Sequence, residues 1–265
     1  MKVAHILERD SSFWHVAGSV TVCVLIVSTG VLDAVTTELG HSHYAEKPVS
    51  ALPHILSMPF NSLINLGYVF LGIYWLMQDE RTIGKHDRTG CYLKNVFSWM
   101  AIMYGPVQWM RICTQTHWSA VLDQWFTLPI FAWAFTWCNA ILRNWNKQLF
   151  LLIECLSISS YFLSIFHPQG FELALAIHIL GAVVSGVVLQ SRYGDPSSKK
   201  NLILALIFCL GFVGLKLLDH WLARWFLFQR LTGHFWSKVC DILQFHYAFC
   251  FLVHLDRHRR FKRKG

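Results

Sequence analysis

Eight apolar runs divide this chain of 265 residues, at roughly 13 to 32, 58 to 78, 95 to 113, 122 to 142, 148 to 166, 171 to 189, 201 to 221 and 234 to 253. A bilayer core about 30 Å thick is crossed by about 20 such residues in a helix. Backbone amides and carbonyls in hydrocarbon have to bond within their own segment, so each run is expected to be a helix. Eight spans take about 160 residues and leave about 105 for loops and ends. The expected fold is therefore all-α: one multi-pass membrane domain, residues 1–265, of about eight transmembrane helices, with no room for a separate soluble domain. Composition agrees, since 54% of residues are hydrophobic and 14% charged, where soluble domains carry about a quarter charged.

Charge placement orients the spans. The first run is read as a retained helix and not a signal peptide, because Lys2 and Arg9 ahead of it are balanced by Glu8 and Asp10 and no small-x-small site follows. With alternating loops, 17 of the 23 basic residues fall on one face: Lys2, Arg9, Arg81, Lys85, Arg88, Lys94, Arg143, Lys147, Arg192, Lys199, Lys200 and the tail from Arg257 to Lys264. The other face has Lys47, Arg224 and Arg230. The positive-inside rule then puts both termini in the cytosol, with residues 255–265 as a basic cytosolic tail that sets topology or meets anionic lipid. The net charge of +8 is absorbed by this asymmetry and does not point to nucleic acid.

Three basic residues are left inside spans: Arg111, Lys216 and Lys238. Charges at membrane depth are costly and mark functional candidates. In the expected topology Arg111 closes the third helix on the non-cytosolic side and Asp123 opens the fourth there. Lys216, Asp219 and His220 end the seventh, and His234, Lys238 and Asp241 begin the eighth on one helical face at i, i+4 and i+7. Asn61, Ser62 and Asn65 of the second helix and Gln108 of the third add amide and hydroxyl groups. The cluster reads either as a binding or catalytic pocket or as interhelical ion pairs that fix register, and its three cations match three aspartates without a metal. Glu154 and His178, deeper and apart, are expected to hydrogen-bond between helices.

Other motifs add little. The eight cysteines form no CxxC pair or disulfide framework; Cys91 is either a palmitoylation candidate or a plain thiol. His41 and His43 lie in an outer loop, short of the three or four converging ligands that zinc needs. Trp14, Trp75, Trp118, Trp125, Trp221 and Trp225 sit toward span ends and read as interfacial anchors. No GxSxG, HExxH, P-loop or Rossmann pattern occurs.

The segments 43–68, 103–111, 120–133, 167–172 and 231–249 resemble the transmembrane protein 187 family. That resemblance implies a multi-pass protein of a secretory-pathway membrane, such as the Golgi, and no particular activity. A more distant resemblance is to the alkaline ceramidases and related seven-helix membrane hydrolases, which hold a catalytic zinc with three histidines assisted by a serine and an aspartate. FNSLIN (60–65) is similar to their Phe-Trp-Asn-Thr-x-Ser-Asn stretch, and GPVQWMRICT (105–114) to their Gly-x-Gly-Ser-x-x-x-His pattern, with Gln108 at the serine and Ile112 at the histidine. Asp123 matches their aspartate and His234 the first histidine of their HxxxH pair, with Lys238 at the second.

Helices two to eight then resemble the ceramidase core, with helix one added. Two of three zinc histidines are replaced, so the resemblance implies a non-catalytic relative without a metal, in which Lys238 and Arg111 supply positive charge beside Asp123. The expected partners are the bilayer and a lipid ligand in an outward polar pocket of Asn61, Asn65, Gln108, Arg111, Asp123, Lys216, Asp219, His220, His234, Lys238 and Asp241. The alternative is a lipid amide hydrolase with zinc held by atypical ligands such as Asp219, His220 or His246. A transporter or channel is the third reading. Oligomeric state is not legible.

Overall fold

The computed structural model describes residues 11–39, 43–78 and 88–264, with side chains not described at His54, Arg88 and 260–264. Lys2, Arg9, His41, Arg81 and Lys85, used above, lie outside the described residues. The fold is helical: α1 (Ser11–Ser28), α2 (Pro59–Leu63), α3 (Leu66–Met77), α4 (Arg88–Thr114), α5 (His117–Arg143), α6 (Lys147–Ser160), α7 (Leu163–Phe166), α8 (Gly170–Tyr193), α9 (Pro196–Leu217), α10 (Asp219–Leu222) and α11 (Gly233–Lys264). No strand occurs among the described residues. With α2–α3 and α6–α7 each read as one broken rod, eight rods match the eight runs. Among the described residues, six are long and apolar enough to cross a membrane. The other two, α4 and α11, have 27 and 32 residues and are less apolar, with Arg111 in the one and Lys238 and Asp241 in the other.

Ordinary stop signals end the rods. Gly30, at φ 77°, follows α1 with the positive φ that glycine adopts at little cost, and Asn144, at φ 77° and ψ 160°, leaves the helical conformation and terminates α5. The Asn146 side chain accepts the amides of Gln148 and Leu149 to open α6. Asp195 and Ser198 form a reciprocal capping box ahead of α9, with Pro196 in the first turn. Pro106 and Pro129 lie inside α4 and α5, which continue through them.

Packing separates a centre from a lipid-facing rim. The span of α5 is 61% buried, whereas α8 and α9 are 22% and 17% buried. On α8 the exposed residues Leu173, Ile177, Leu180, Val184 and Val187 recur at i+4 and i+3 and make one apolar stripe. Hydrocarbon is the solvent such a stripe requires. Inside, Phe97 stacks on Phe245 at 5.0 Å and Trp75 on Phe249 at 4.7 Å, joining α3, α4 and α11. Close approach there depends on small residues: a Cβ on Gly72 would stand 2.5 Å from the Ser98 carbonyl, and one on Gly105 2.7 Å from that of Asn65.

Two expectations change. Trp75 and Trp125 are core residues, 6% and 0% exposed, while Trp14, Trp118, Trp221 and Trp225 remain on the surface. Trp125 stacks on Tyr161 at 5.2 Å and donates to the Ile158 carbonyl, so its indole is satisfied in the interior. The eighth rod also continues past 253, because Leu255 is fully buried, His254 bonds Asp195 at 2.6 Å, and Arg259 donates to the Ala140 and Leu142 carbonyls at the end of α5. A cation on the free carbonyls of a helix C-terminus satisfies both its orphan acceptors and its dipole.

Candidate functional site: a polar pocket beneath the 29–58 loop

The break between α2 and α3 creates half of the site. At the turn the Asn65 amide bonds the Ser62 carbonyl at 3.3 Å, one residue short of helical register. The Asn61 carbonyl is thereby released, and it accepts Lys238 Nζ at 3.3 Å and Asn65 Nδ2 at 3.0 Å. Lys238 also donates to Asn65 Oδ1 at 2.9 Å and lies 5.9 Å from the centre of the Tyr44 ring. The two asparagines thus hold an intramembrane ammonium with neutral oxygens.

The loop 29–58 covers this end of the bundle through polar contacts. Arg111 donates from Nη2 to the Glu38 carbonyl at 3.1 Å, His117 Nε2 lies 2.6 Å from the Val35 carbonyl, and the Ala45 amide donates to Asp219 at 3.1 Å. Glu46, 4% exposed, accepts the first free amides of α2, from Phe60 and Asn61, at 3.1 and 2.9 Å, and Asn61 Nδ2 at 2.8 Å. Burial pushes its carboxyl up, against the pull of those hydrogen bonds. His43 bonds Glu38 at 2.6 Å and packs edge-on to His234 at 5.6 Å. Burial, with Arg111 and Lys216 nearby, lowers the His43 imidazole to about 4, and the hydrogen bond from His43 lowers the Glu38 carboxyl.

Every carboxylate of the cluster is already engaged. Asp123 takes Arg111 Nη1 at 2.6 Å, Asp241 takes the Tyr68 hydroxyl at 2.7 Å, and Asp219 takes the His234 amide at 2.8 Å. Asp219 is therefore the cap that joins the start of α11 to the loop. Between these pairs lies a cavity of about 20 Å³, lined by Gln108, Asp123, Lys216, His234, Ser237 and Lys238 and walled by Tyr44, Tyr104 and Phe212. One water needs about 10–15 Å³ on that measure, so the space admits one or two oxygen-sized atoms.

Of the residues expected in a pocket, Gln108, Asp123, Lys216, His234 and Lys238 line this cavity. Asn61, Asn65, Arg111, Asp219 and Asp241 are buried beside it in support, and His220 is exposed and takes no part. Tyr44, Glu46, Tyr104 and Ser237 complete the site without having been singled out. Ser237 and Tyr104 had a readable signal, being one helical turn from His234 and from Gln108. Glu46 had none, since only tertiary folding brings it to α2.

The residues present do not fit the zinc that the ceramidase resemblance implies. Asp123 is committed to a guanidinium, the Lys238 ammonium lines the same cavity, and Ile112, at the position of a ligand histidine, is fully buried in an apolar cluster with Tyr44 and Met58. Among the described residues no three His, Cys, Asp or Glu side chains converge as a metal site requires. His246 lies elsewhere, beside Trp75 and Cys250.

A second polar cluster ties α1 to the bundle: His15 bonds Tyr92 at 2.6 Å and Glu154 at 2.5 Å, and Ser19 donates to Glu154 at 3.0 Å. His178 reaches Ser157 across α8 and α6 at 3.0 Å. Glu154 and His178 thus both bond between helices.

The profile of the TMEM187 protein family matches residues 12–253. Transmembrane protein 187 of Bos taurus is 54% identical over 250 residues, covering 94% of this chain and 98% of that protein. Transmembrane protein 187 of Homo sapiens is 52% identical over 258 residues, 97% of each. No solved structure matches. With that identity over nearly its whole length, and with the helical membrane bundle described above, the chain belongs to the TMEM187 protein family.

Proposed function

We propose that this protein is a non-catalytic membrane protein of ceramidase-like architecture that binds a lipid, or another membrane component, in the polar pocket beneath the 29–58 loop. The observation that carries this reading is that polar groups facing the cavity lack partners. Gln108 Oε1 is buried without a hydrogen bond, and the His234 ring makes none with the described residues. Buried polar groups inside folded proteins are nearly always bonded, so a partner from outside the chain completes the arrangement.

A hydrocarbon portion has a place nearby. Further along α5, α9 and α11 lies an apolar cavity of about 80 Å³, lined by residues such as Phe131, Cys138, Ala205, Phe245 and Phe251, with Gln244 as its polar lining residue. The pair of cavities, one polar and one apolar along the same helices, suits an amphiphile.

Mass spectrometry of lipids that co-purify with the solubilised full chain tests the reading. One species is expected to be retained by the native protein and depleted in Gln108→Leu and His234→Phe. Identical lipid profiles in all three proteins would overturn it. Stoichiometric zinc lost on His234→Ala, together with lipid amide hydrolysis abolished by Asp123→Ala, would establish the hydrolase instead.

A further inference from the structure

We infer that the polar cavity is an anion site, in which Lys216 and Lys238 together take a single negatively charged atom: a halide, or one acidic oxygen of a carboxylate or phosphate. This deepens the lipid reading by naming the charge of the group that enters the pocket.

The argument is a charge account at membrane depth. Lys238 is held by two neutral oxygens, of Asn61 and Asn65, and Lys216 makes no hydrogen bond or ion pair with the described residues. Asp123, the carboxylate that lines the cavity, is held at 2.6 Å by Arg111. Asp219 serves the amides of His234 and Ala45, Asp241 serves Tyr68, and Glu46 serves the first turn of α2. Two ammonium groups therefore line one small cavity with no carboxylate of the described residues within ion-pairing distance of either. Lys238 is buried and Lys216 half-buried; charge held there without a counter-charge is unfavourable, and a bound anion lowers that cost.

Size selects the ligand. A space of about 20 Å³ excludes a whole phosphate or carboxylate group but accepts one of its oxygens, or a halide. The His234 ring lines the same space and is able to donate a ring N–H to an anion. The remainder of a larger acid has to extend out of the cavity, as the chain of an acidic lipid would.

Thermal unfolding of the detergent-solubilised full chain tests this at constant ionic strength, with gluconate as the bulky reference anion. Chloride and oleate are added separately, and oleyl alcohol is the uncharged control. At a hundred times its Kd the bound anion is expected to raise Tm by on the order of 5 °C. The rise is expected to vanish in Lys216→Met and Lys238→Met. A response to chloride identifies a free anion as the source, and a response to oleate but not to oleyl alcohol identifies an acidic lipid. Should Lys238→Met fail to fold, Lys216→Met, whose ammonium holds no structural hydrogen bond, decides the matter.

No shift with either anion, an equal shift with oleyl alcohol, or an undiminished shift in Lys216→Met overturns the inference. A neutral lipid that still co-purifies would then leave the lipid reading standing. A chloride response without retained lipid would support the anion site and overturn the lipid reading.

Discussion

Arg111 and Asp123 were readable as a pair of opposite charges at one depth, and their 2.6 Å contact accounts for the survival of both in a bundle interior. Each is stable there because of the other. Removing one partner of a buried pair leaves an uncompensated charge and typically costs about 3–5 kcal/mol, whereas replacing both with apolar groups is often close to neutral. Arg111→Met is therefore expected to lower stability by several kcal/mol, and Arg111→Met combined with Asp123→Leu to recover most of the loss. Unfolding midpoints across the four-protein cycle measure the coupling directly; additive effects would show that the pair is not coupled. At this scale the sequence identified which residues are costly to bury but not which atoms satisfy them. That Lys238 is held by Asn61 and Asn65 follows from a one-residue slip in register at residue 65, which no residue pattern announces.

The element that the sequence least resolved is the 29–58 loop, because a polar connection carries no periodicity from which its docking can be read. Its tertiary role is large: Tyr44 walls the cavity, Ala45 bonds Asp219 and Glu46 caps α2. The groups facing His43 are Glu38, Arg111, Lys216 and His234. Its imidazole is lowered from 6.5 to about 4 by burial, so the undocked loop binds the proton more readily than the docked one. The docked state is then fully favoured above about pH 6.5 and loses ground as pH falls toward 4. Glu38, lowered by its hydrogen bond to His43, acts in the same direction below its usual range. Amide exchange at Ala45 and His234, corrected for intrinsic rates, is expected to speed up on the order of fiftyfold between pH 7 and 4.5. His43→Gln is expected to flatten that dependence, and an unchanged profile would remove His43 from the account.

For the whole molecule, the apolar runs were nearly sufficient. Hydrophobic stretches separated by polar loops leave few alternatives once backbone bonding in hydrocarbon is required, so the number and order of rods were legible even where α3 and α6 break from their neighbours. Which rods are central was less so: α4 and α11 fall below the apolarity of the other six, yet α4 contributes Phe97, Tyr104 and Ile112 to the interior. Charge inside these helices is tolerable because each group finds its own partner: Arg111 pairs with Asp123, Lys238 is held by Asn61 and Asn65, and Asp241 accepts the Tyr68 hydroxyl. Orientation is read from the charges outside the spans. With eight spans the two termini would share a side, the sequence assigns 17 of 23 basic residues to it, and by the positive-inside rule that side is expected to be cytosolic. Single glycosylation acceptor sites introduced into the 29–58 loop and the 218–232 connection are expected to be modified in cells, and sites added at either terminus are not. Modification at a terminus would invert the bundle and place the polar pocket toward the cytosol. The anion available to Lys216 and Lys238 would then be a cytosolic one.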